Sequence, residues 1–161
     1  MTRMLTEEQY LYFTDRALDG MAEVLTGLGD DLANTRPGLP GANSPYAIVT
    51  HCLGVAEYWA GHLVAGRTVH RDRDAEFTAT GPVEELVRRV AAAKAQLRAD
   101  VAAADAAAPL RHEPPPAYRD AVPGTTQAGA LQHVYEELAQ HRGHLELTRD
   151  VLVATAARPR P

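Results

Sequence analysis

Four side chains that can bind a divalent metal have the spacing of one helix face within the twelve-residue run HVYEELAQHRGH, residues 133–144, near the C-terminal end of the chain. His133, Glu137 and His141 are spaced four residues apart, and His144 follows three residues after His141. Side chains separated by three or four residues lie on one face of an α-helix. The spacing therefore predicts a long helix with imidazole and carboxylate groups along one side, and it favours a helical architecture.

The apolar residues of this helix indicate which of these groups face the interior. The apolar stripe consists of Val134, Leu138, Leu145 and Leu152. His141 lies almost at its centre and Glu137 slightly to one side, whereas His133 and His144 lie further out. A carboxylate near the interior needs a partner, which a metal ion, an arginine or a histidine would supply. We expect His133 on the solvent side of the stripe.

A second helix is predicted for residues 45–65, because Ser44 is a good N-cap and Pro45 suits the first helical position. Its apolar stripe consists of Ile48, Cys52, Val55, Trp59 and Leu63. With an α-helical rotation of about 100° per residue, His51 and His62 lie on the same edge of that stripe.

Two helices that each direct a histidine or a glutamate into a common interior can build a metal site. We therefore predict that His51, Glu137 and His141 bind one divalent ion. Two neutral imidazoles and one carboxylate suit Zn²⁺ and leave at least one position open. Ni²⁺, Mn²⁺ and Fe²⁺ also accept these ligands. Two simpler explanations stay open, namely a hydrogen-bonded core histidine and a surface Glu–His pair. We interpret His70 and His112 as core or surface residues, and the same interpretation stays open for His62.

The rest of the chain predicts an all-α protein. Two further helices are expected at residues 7–28 and 81–107, and the last helix follows Thr126 and ends before Arg158. The connecting segments 30–43 and 109–126 are rich in proline and glycine, and residues 67–80 are polar and irregular. We predict a four-helix bundle that forms one domain over residues 1–161. Loops 37–43 and 114–124 should shape a pocket, because each precedes a helix with candidate ligands.

Composition excludes several classes of function. The formal net charge of −5 argues against a nucleic-acid surface. No apolar run reaches the roughly 18 residues typical of a membrane span, and the N-terminal segment lacks a secretory apolar region, so a cytoplasmic location is expected. The only cysteine, Cys52, excludes an internal disulfide. Because it lies on an apolar stripe, we expect it to be an inert buried thiol.

The chain resembles the DinB-like superfamily of metal-binding four-helix bundles. It is most similar to the branch with mycothiol-dependent maleylpyruvate isomerase and the mini-circle proteins. The matching residues are His51 in IVTHCLGVAEYWAGHLVAGR and the pair Glu137 and His141 in HVYEELAQHRGHLELTRD. The resemblance implies one histidine ligand from the second helix and two ligands from the last. His144, a recurrent residue of the mini-circle branch, and His62 are expected as supporting residues or alternative ligands.

The resemblance also implies a function. An open metal position can bind a thiol and deprotonate it, and the thiol implied is mycothiol, bacillithiol or a similar small molecule. The reaction would be transfer of that thiol to a small electrophile, or an addition that permits isomerisation. Arg142, next to His141, is a candidate contact for a substrate carboxylate.

Two other functions use the same three ligands. One is a metal-dependent hydrolase with bound water as the nucleophile. The other is a non-catalytic stress protein that binds a metal or a ligand. A homodimer is also expected, formed through apolar residues of the first and third helices that include Tyr10, Phe13, Leu86 and Val90. The alternative is that these four residues belong to the ordinary core.

Overall fold

The computed structural model describes residues 5–116 and 125–157, and within these ranges the chain is an all-α bundle. Its helices are α1 (Glu7–Ala33), α2 (Pro45–Ala56), a π-helical segment (Glu57–Val64) that continues α2, α3 (Arg73–Glu76), α4 (Val83–Ala102) and α5 (Gln127–Ala156). The described residues form no strand and only one isolated bridge, between Pro109 and Thr126. The predicted all-α fold class is confirmed.

The helices begin where the sequence predicts. The Thr6 hydroxyl accepts from the backbone N–H of Gln9, and the Gln9 side chain accepts from the Thr6 N–H, which completes a capping box on α1. Ser44 accepts a hydrogen bond in the first turn of α2, and Thr126 does the same on α5. These side chains satisfy backbone donors that lack a partner within the helix.

Two helix ends differ from the prediction for identifiable reasons. Helix α1 continues past residue 28 to Ala33, with a break at Gly29 (φ 69°, ψ 174°) that glycine accommodates without strain. Helix α4 ends at Ala102 although the alanine-rich sequence would allow it to continue to residue 107. There the Gln127 side chain accepts from the Asp105 N–H at 2.9 Å, and the Gln127 N–H donates to the Ala108 carbonyl at 2.9 Å. Hydrogen bonds between residues 105–108 and the start of α5 thus end α4 earlier than the helix propensity of alanine would predict.

Two further differences lie between α2 and α4. The predicted second helix is α-helical only to Ala56 and then π-helical to Val64. The polar segment 67–80, predicted to be irregular, contains the short helix α3. Asp72 caps this helix by accepting from the Ala75 N–H at 3.0 Å.

The core lies between the long helices. Helix α1 packs against α4 and α5, and α2 with its π-helical continuation also packs against α4 and α5. The largest fully buried side chains include Leu18, Met21, Ile48, Leu63, Leu97 and Leu138. Because α2 and α5 share a long seam, polar side chains on their facing stripes must meet or find another partner.

The residues expected for dimerisation are mostly core. Tyr10, Leu86 and Val90 are buried within the bundle, which confirms the alternative that they are ordinary interior residues. Phe13 is 45% exposed and lies next to the exposed Tyr12. Within the described residues, every helix is too short or too polar to cross a lipid bilayer.

Candidate metal centre

Three side chains from two helices converge at the seam between α2 and α5. His51 Nε2 lies 3.4 Å from Glu137 Oε2, and His141 Nε2 lies 3.4 Å from the same oxygen. The rings of His51 and His141 meet edge to face, with centroids 4.9 Å apart. Each residue contributes one donor atom to a cluster in which all three atoms lie within 4.8 Å of one another. The structure therefore brings together the three residues predicted as ligands.

These separations fit one small divalent ion. Ligands bound to zinc at about 2.0–2.2 Å in tetrahedral geometry lie about 3.4 Å from each other. Both measured N···O distances have that value. Nδ1 of His141 is buried and has no hydrogen-bond partner in the described part of the chain, whereas its Nε2 points at the cluster. The residues present thus fit a zinc-type ion held by two imidazoles and one carboxylate.

A second carboxylate, which the sequence analysis did not single out, holds the other side of His51. His51 Nδ1–H donates to Glu76 Oε2 at 2.8 Å. Glu76 is buried at the end of α3, and Arg71 donates to both of its oxygens, at 2.6 and 2.9 Å. Phe77 stacks on the His51 ring with centroids 4.8 Å apart. In the sequence, Glu76 is simply an acidic residue next to an aromatic one in a polar segment. That pattern is too common to predict a contact with His51.

His51 lies between two carboxylates, and these three groups shift one another's pKa values. Burial lowers the pKa of His51, but hydrogen bonds to Glu137 and Glu76 outweigh it and raise that pKa above its ordinary value. Hydrogen bonds from His141 and His51 hold the pKa of Glu137 well below its ordinary value. For Glu76, burial opposes ionisation, yet His51 and Arg71 lower its pKa overall. A cation would interact favourably with the same carboxylates.

Comparison with known families gives a match over most of the chain. A family model described as Mycothiol-S-transferase matches residues 10–154, which is most of the chain. The chain belongs to the Mycothiol-S-transferase family. This is a DinB-like family, so the resemblance described above is confirmed. A comparison with curated proteins gave no match.

In this member of the Mycothiol-S-transferase family, the alternative histidines lie outside the ligand cluster. Among the described residues, only His51, Glu137 and His141 form a group close enough to share an ion. His144 is exposed, and its ring centroid lies 5.8 Å from that of His141. Burial and the neighbouring His141 lower the pKa of His144. A supporting role for His144 stays a prediction.

His62 is directed away from the cluster by the π-helical segment. Its Nδ1–H donates to the Arg67 carbonyl at 2.8 Å, and its ring stacks on His112 at 4.0 Å. A π-helix has more residues per turn than an α-helix, so a rotation of 100° per residue misplaces residues beyond Ala56. The sequence-based placement of His51 and His62 on one edge fails for this reason.

His133 and Arg142 also have contacts that the sequence did not reveal. The expectation that His133 faces solvent is wrong, because its ring packs edge-on against Trp59 with centroids 4.5 Å apart and its side chain is only 21% exposed. Arg142 donates to Glu146 at 3.1 Å and to the Arg16 carbonyl at 3.2 Å, at the contact with α1. The role of Arg142 as a substrate contact stays a prediction.

A cavity of about 150 Å³ lies one helical turn from the cluster. Its lining includes Trp59, Pro114, Gln132, His133 and Glu136. Since His133 precedes Glu137 by four residues on α5, the cavity and the ligands follow the same stripe of that helix. A larger cavity of about 280 Å³ lies between α4 and the π-helical segment, and none of its lining residues belongs to the cluster. Of the predicted pocket loop 114–124, residues 117–124 lie outside the described residues.

Cys52 is not suited to nucleophilic chemistry. The thiol is fully buried, and burial raises its pKa far above the ordinary range for cysteine. A buried neutral thiol reacts poorly because the thiolate is the nucleophile. Any sulfur nucleophile in this family member must therefore come from a second molecule.

Proposed function

We propose that this protein is a thiol S-transferase in which His51, Glu137 and His141 hold a divalent metal ion and a small thiol such as mycothiol or bacillithiol attacks a small electrophile. The observation that carries the proposal is the pair of 3.4 Å distances from Glu137 Oε2 to the two histidine Nε2 atoms. Membership of the Mycothiol-S-transferase family supports the thiol as co-substrate.

The donor set favours zinc as the metal. Imidazole nitrogen and carboxylate oxygen bind Zn²⁺ well, and three protein ligands leave a position for a substrate atom. Ni²⁺, Mn²⁺ and Fe²⁺ accept the same ligands. When bound, such an ion would supply the Lewis acidity that makes a thiol ionise near neutral pH.

The protein's own residues would orient the reactants. Glu137 and the two histidines face one point on the α2–α5 seam, so the sulfur of a thiol would be directed there. We place the body of the thiol in the cavity lined by Trp59, Gln132 and Glu136, because His133 in its lining lies one helical turn before Glu137 on α5. Trp59 offers an apolar aromatic surface, and the polar side chains can hydrogen-bond to a hydrophilic ligand.

The transfer step balances without an oxidant. The thiol S–H bond breaks and its proton passes to solvent. The sulfur lone pair then forms an S–C bond with the electrophile. In a substitution the leaving group departs with its bonding pair, and in an addition a proton is taken up at the adjacent atom.

An assay with a matched control tests this proposal. The purified protein is loaded with zinc, and consumption of mycothiol or bacillithiol is followed with a panel of small electrophiles. We expect turnover that requires both thiol and metal, and that is lost in His141→Ala but kept in His70→Ala, since His70 is exposed. Metal-dependent turnover without thiol would instead indicate a hydrolase. Metal binding with no thiol binding or turnover would indicate a non-catalytic binding protein.

We also propose a cytoplasmic location and a homodimer. The exposed aromatic pair Tyr12 and Phe13 on α1 supports the dimer, because Phe13 also contacts Tyr135 of α5 and the three rings form one apolar surface. Light scattering at micromolar concentration should give twice the 17.4 kDa mass of one chain. The mass of a single chain would refute the dimer.

A further inference from the structure

The strongest unassigned feature is the buried carboxylate of Glu76. It is 6% exposed, and its two oxygens accept hydrogen bonds from Arg71 and His51. Arg71 is itself held in place, with its guanidinium carbon 5.8 Å from the centre of the Tyr58 ring. A buried glutamate needs this degree of compensation to remain ionised. The short helix α3 therefore delivers a fixed negative charge to the side of His51 opposite Glu137.

We propose that Glu76 is a positioning residue for His51, an inference that rests on the proposed metal-dependent function. A carboxylate only accepts hydrogen bonds, so Glu76 keeps the proton on His51 Nδ1. The free lone pair is then on Nε2, which is the atom that faces Glu137 and His141. Hydrogen-bonded partners of metal-binding histidines commonly set the tautomer and the ring orientation in this way.

Two neighbours make the arrangement specific. Phe77, the residue after Glu76, stacks on the His51 ring and restricts its rotation. Gly54, one turn after His51 on α2, leaves the space that Glu76 occupies. A Cβ at position 54 would overlap Glu76 Oε1 and lie 3.4 Å from Arg71 Nε. Glycine is unfavourable inside a helix, so close approach of the Glu76 carboxylate explains its presence there.

This geometry provides a test by two independent routes. Glu76→Ala removes the acceptor, and Glu76→Gln keeps an acceptor oxygen but removes the charge. Gly54→Ala removes no polar group from the chain but displaces the Glu76 carboxylate. Gly27→Ala is the matched control, because it also lies within a helix and a Cβ there meets nothing within 4 Å.

Zinc affinity is measured by competition with a chelator, and cobalt-substituted protein is examined by visible absorption. We expect Glu76→Ala and Gly54→Ala to weaken zinc binding by about 10- to 100-fold, as is typical for partners of ligating histidines. Glu76→Gln should recover part of that loss, and Gly27→Ala should bind zinc like the unaltered protein. The cobalt bands should shift in Glu76→Ala, a change that a general loss of stability would not cause.

The outcomes separate this inference from the proposed function. Unaltered protein that binds no zinc would overturn both. Unaltered protein that binds zinc, with equal affinity in Glu76→Ala, would overturn only the role of Glu76. If Glu76→Ala does not fold, the zinc affinity of Gly54→Ala becomes the test. Zinc affinity equal to that of the unaltered protein would then refute the inference. Equal weakening in Gly27→Ala would also refute it.

Discussion

Glu137 Oε2 lies 3.4 Å from His51 Nε2, although 86 positions separate the two residues in the chain. The contact joins the second helix to the last one, and His141 completes it from one turn further along α5. A cation bound between these groups would interact favourably with the Glu137 carboxylate.

His141→Ala should abolish tight zinc binding, because two ligands from α2 and α5 would remain where three are needed. The variant should also lose the metal-dependent stabilisation, which is about 2.7 kcal/mol when free metal is 100 times its dissociation constant. Metal analysis and thermal melting with and without zinc would measure both effects. His70→Ala and His112→Ala should retain zinc. Full zinc occupancy in His141→Ala protein would contradict the assignment.

Gln132→Ala should weaken thiol binding while zinc affinity stays unchanged. Gln132 lines the cavity in which we place the thiol, and loss of one hydrogen bond to a bound ligand costs about 1 kcal/mol, or roughly fivefold in affinity. Calorimetric titration of zinc-loaded protein with mycothiol or bacillithiol would measure this. Gln140→Ala, on an exposed part of the same helix, serves as the control. Equal thiol affinity in the two variants would place the thiol elsewhere.

Arg67→Ala should destabilise the bundle much more than a comparable surface change. Arg67 donates to both oxygens of Asp100, at 2.9 Å each, and Asp100 is only 3% exposed. Removal of the arginine would leave a buried charge unpaired. Because the Arg67 side chain is 31% exposed, we expect the free energy of unfolding to fall by about 2–3 kcal/mol. This loss is at or below the lower end of the range for breaking a buried ion pair.

The surface pair of Lys94 and Asp19 gives a matched comparison for that measurement. Its atoms are 2.6 Å apart, but Asp19 is more than half exposed. Lys94→Ala should therefore change the free energy of unfolding by less than about 1 kcal/mol. Urea denaturation of both variants gives the two values. A similar loss in both would mean that the Arg67–Asp100 pair contributes no more than a solvent-screened one.

Tyr10→Phe should alter the response of the protein to alkaline pH. Burial raises the pKa of Tyr10, whose hydroxyl donates to the Leu131 carbonyl at 2.7 Å. The unfolded chain loses this proton near the ordinary pKa of about 10, so above that pH the unfolded state binds fewer protons. The contribution of Tyr10 to stability is thus fully present below pH of about 10 and declines as the pH rises towards the folded-state pKa.

Denaturation at several pH values would check this expectation. At neutral pH, the free energy of unfolding of Tyr10→Phe should be about 1 kcal/mol lower, because the hydrogen bond to the Leu131 carbonyl is lost. Above pH of about 10, its free energy of unfolding should fall less steeply than that of the unaltered protein. Tyr12→Phe, at an exposed position, is the control and should match the unaltered protein. Parallel slopes for Tyr10→Phe and the unaltered protein would contradict the expectation.

Local patterns in the sequence determined most of the secondary structure. The caps at Thr6, Ser44 and Thr126 and the apolar stripes of α2 and α5 depend on residues a few positions apart, so sequence reasoning reached them. The same stripes indicated that His51, Glu137 and His141 point inward. Each of these inferences uses only the geometry of a single helix.

Only the tertiary structure decided which side chains meet. Glu76 reaches His51 because α3 folds back onto α2, where Gly54 leaves room, and no local pattern specifies that approach. His62 turns away from the cluster because a π-helical segment changes the rotation per residue. Helix α4 ends at Ala102 because Gln127 captures the backbone that follows it. For Glu76 and for the end of α4, a long-range contact outweighs a local preference of about 1 kcal/mol or less per residue.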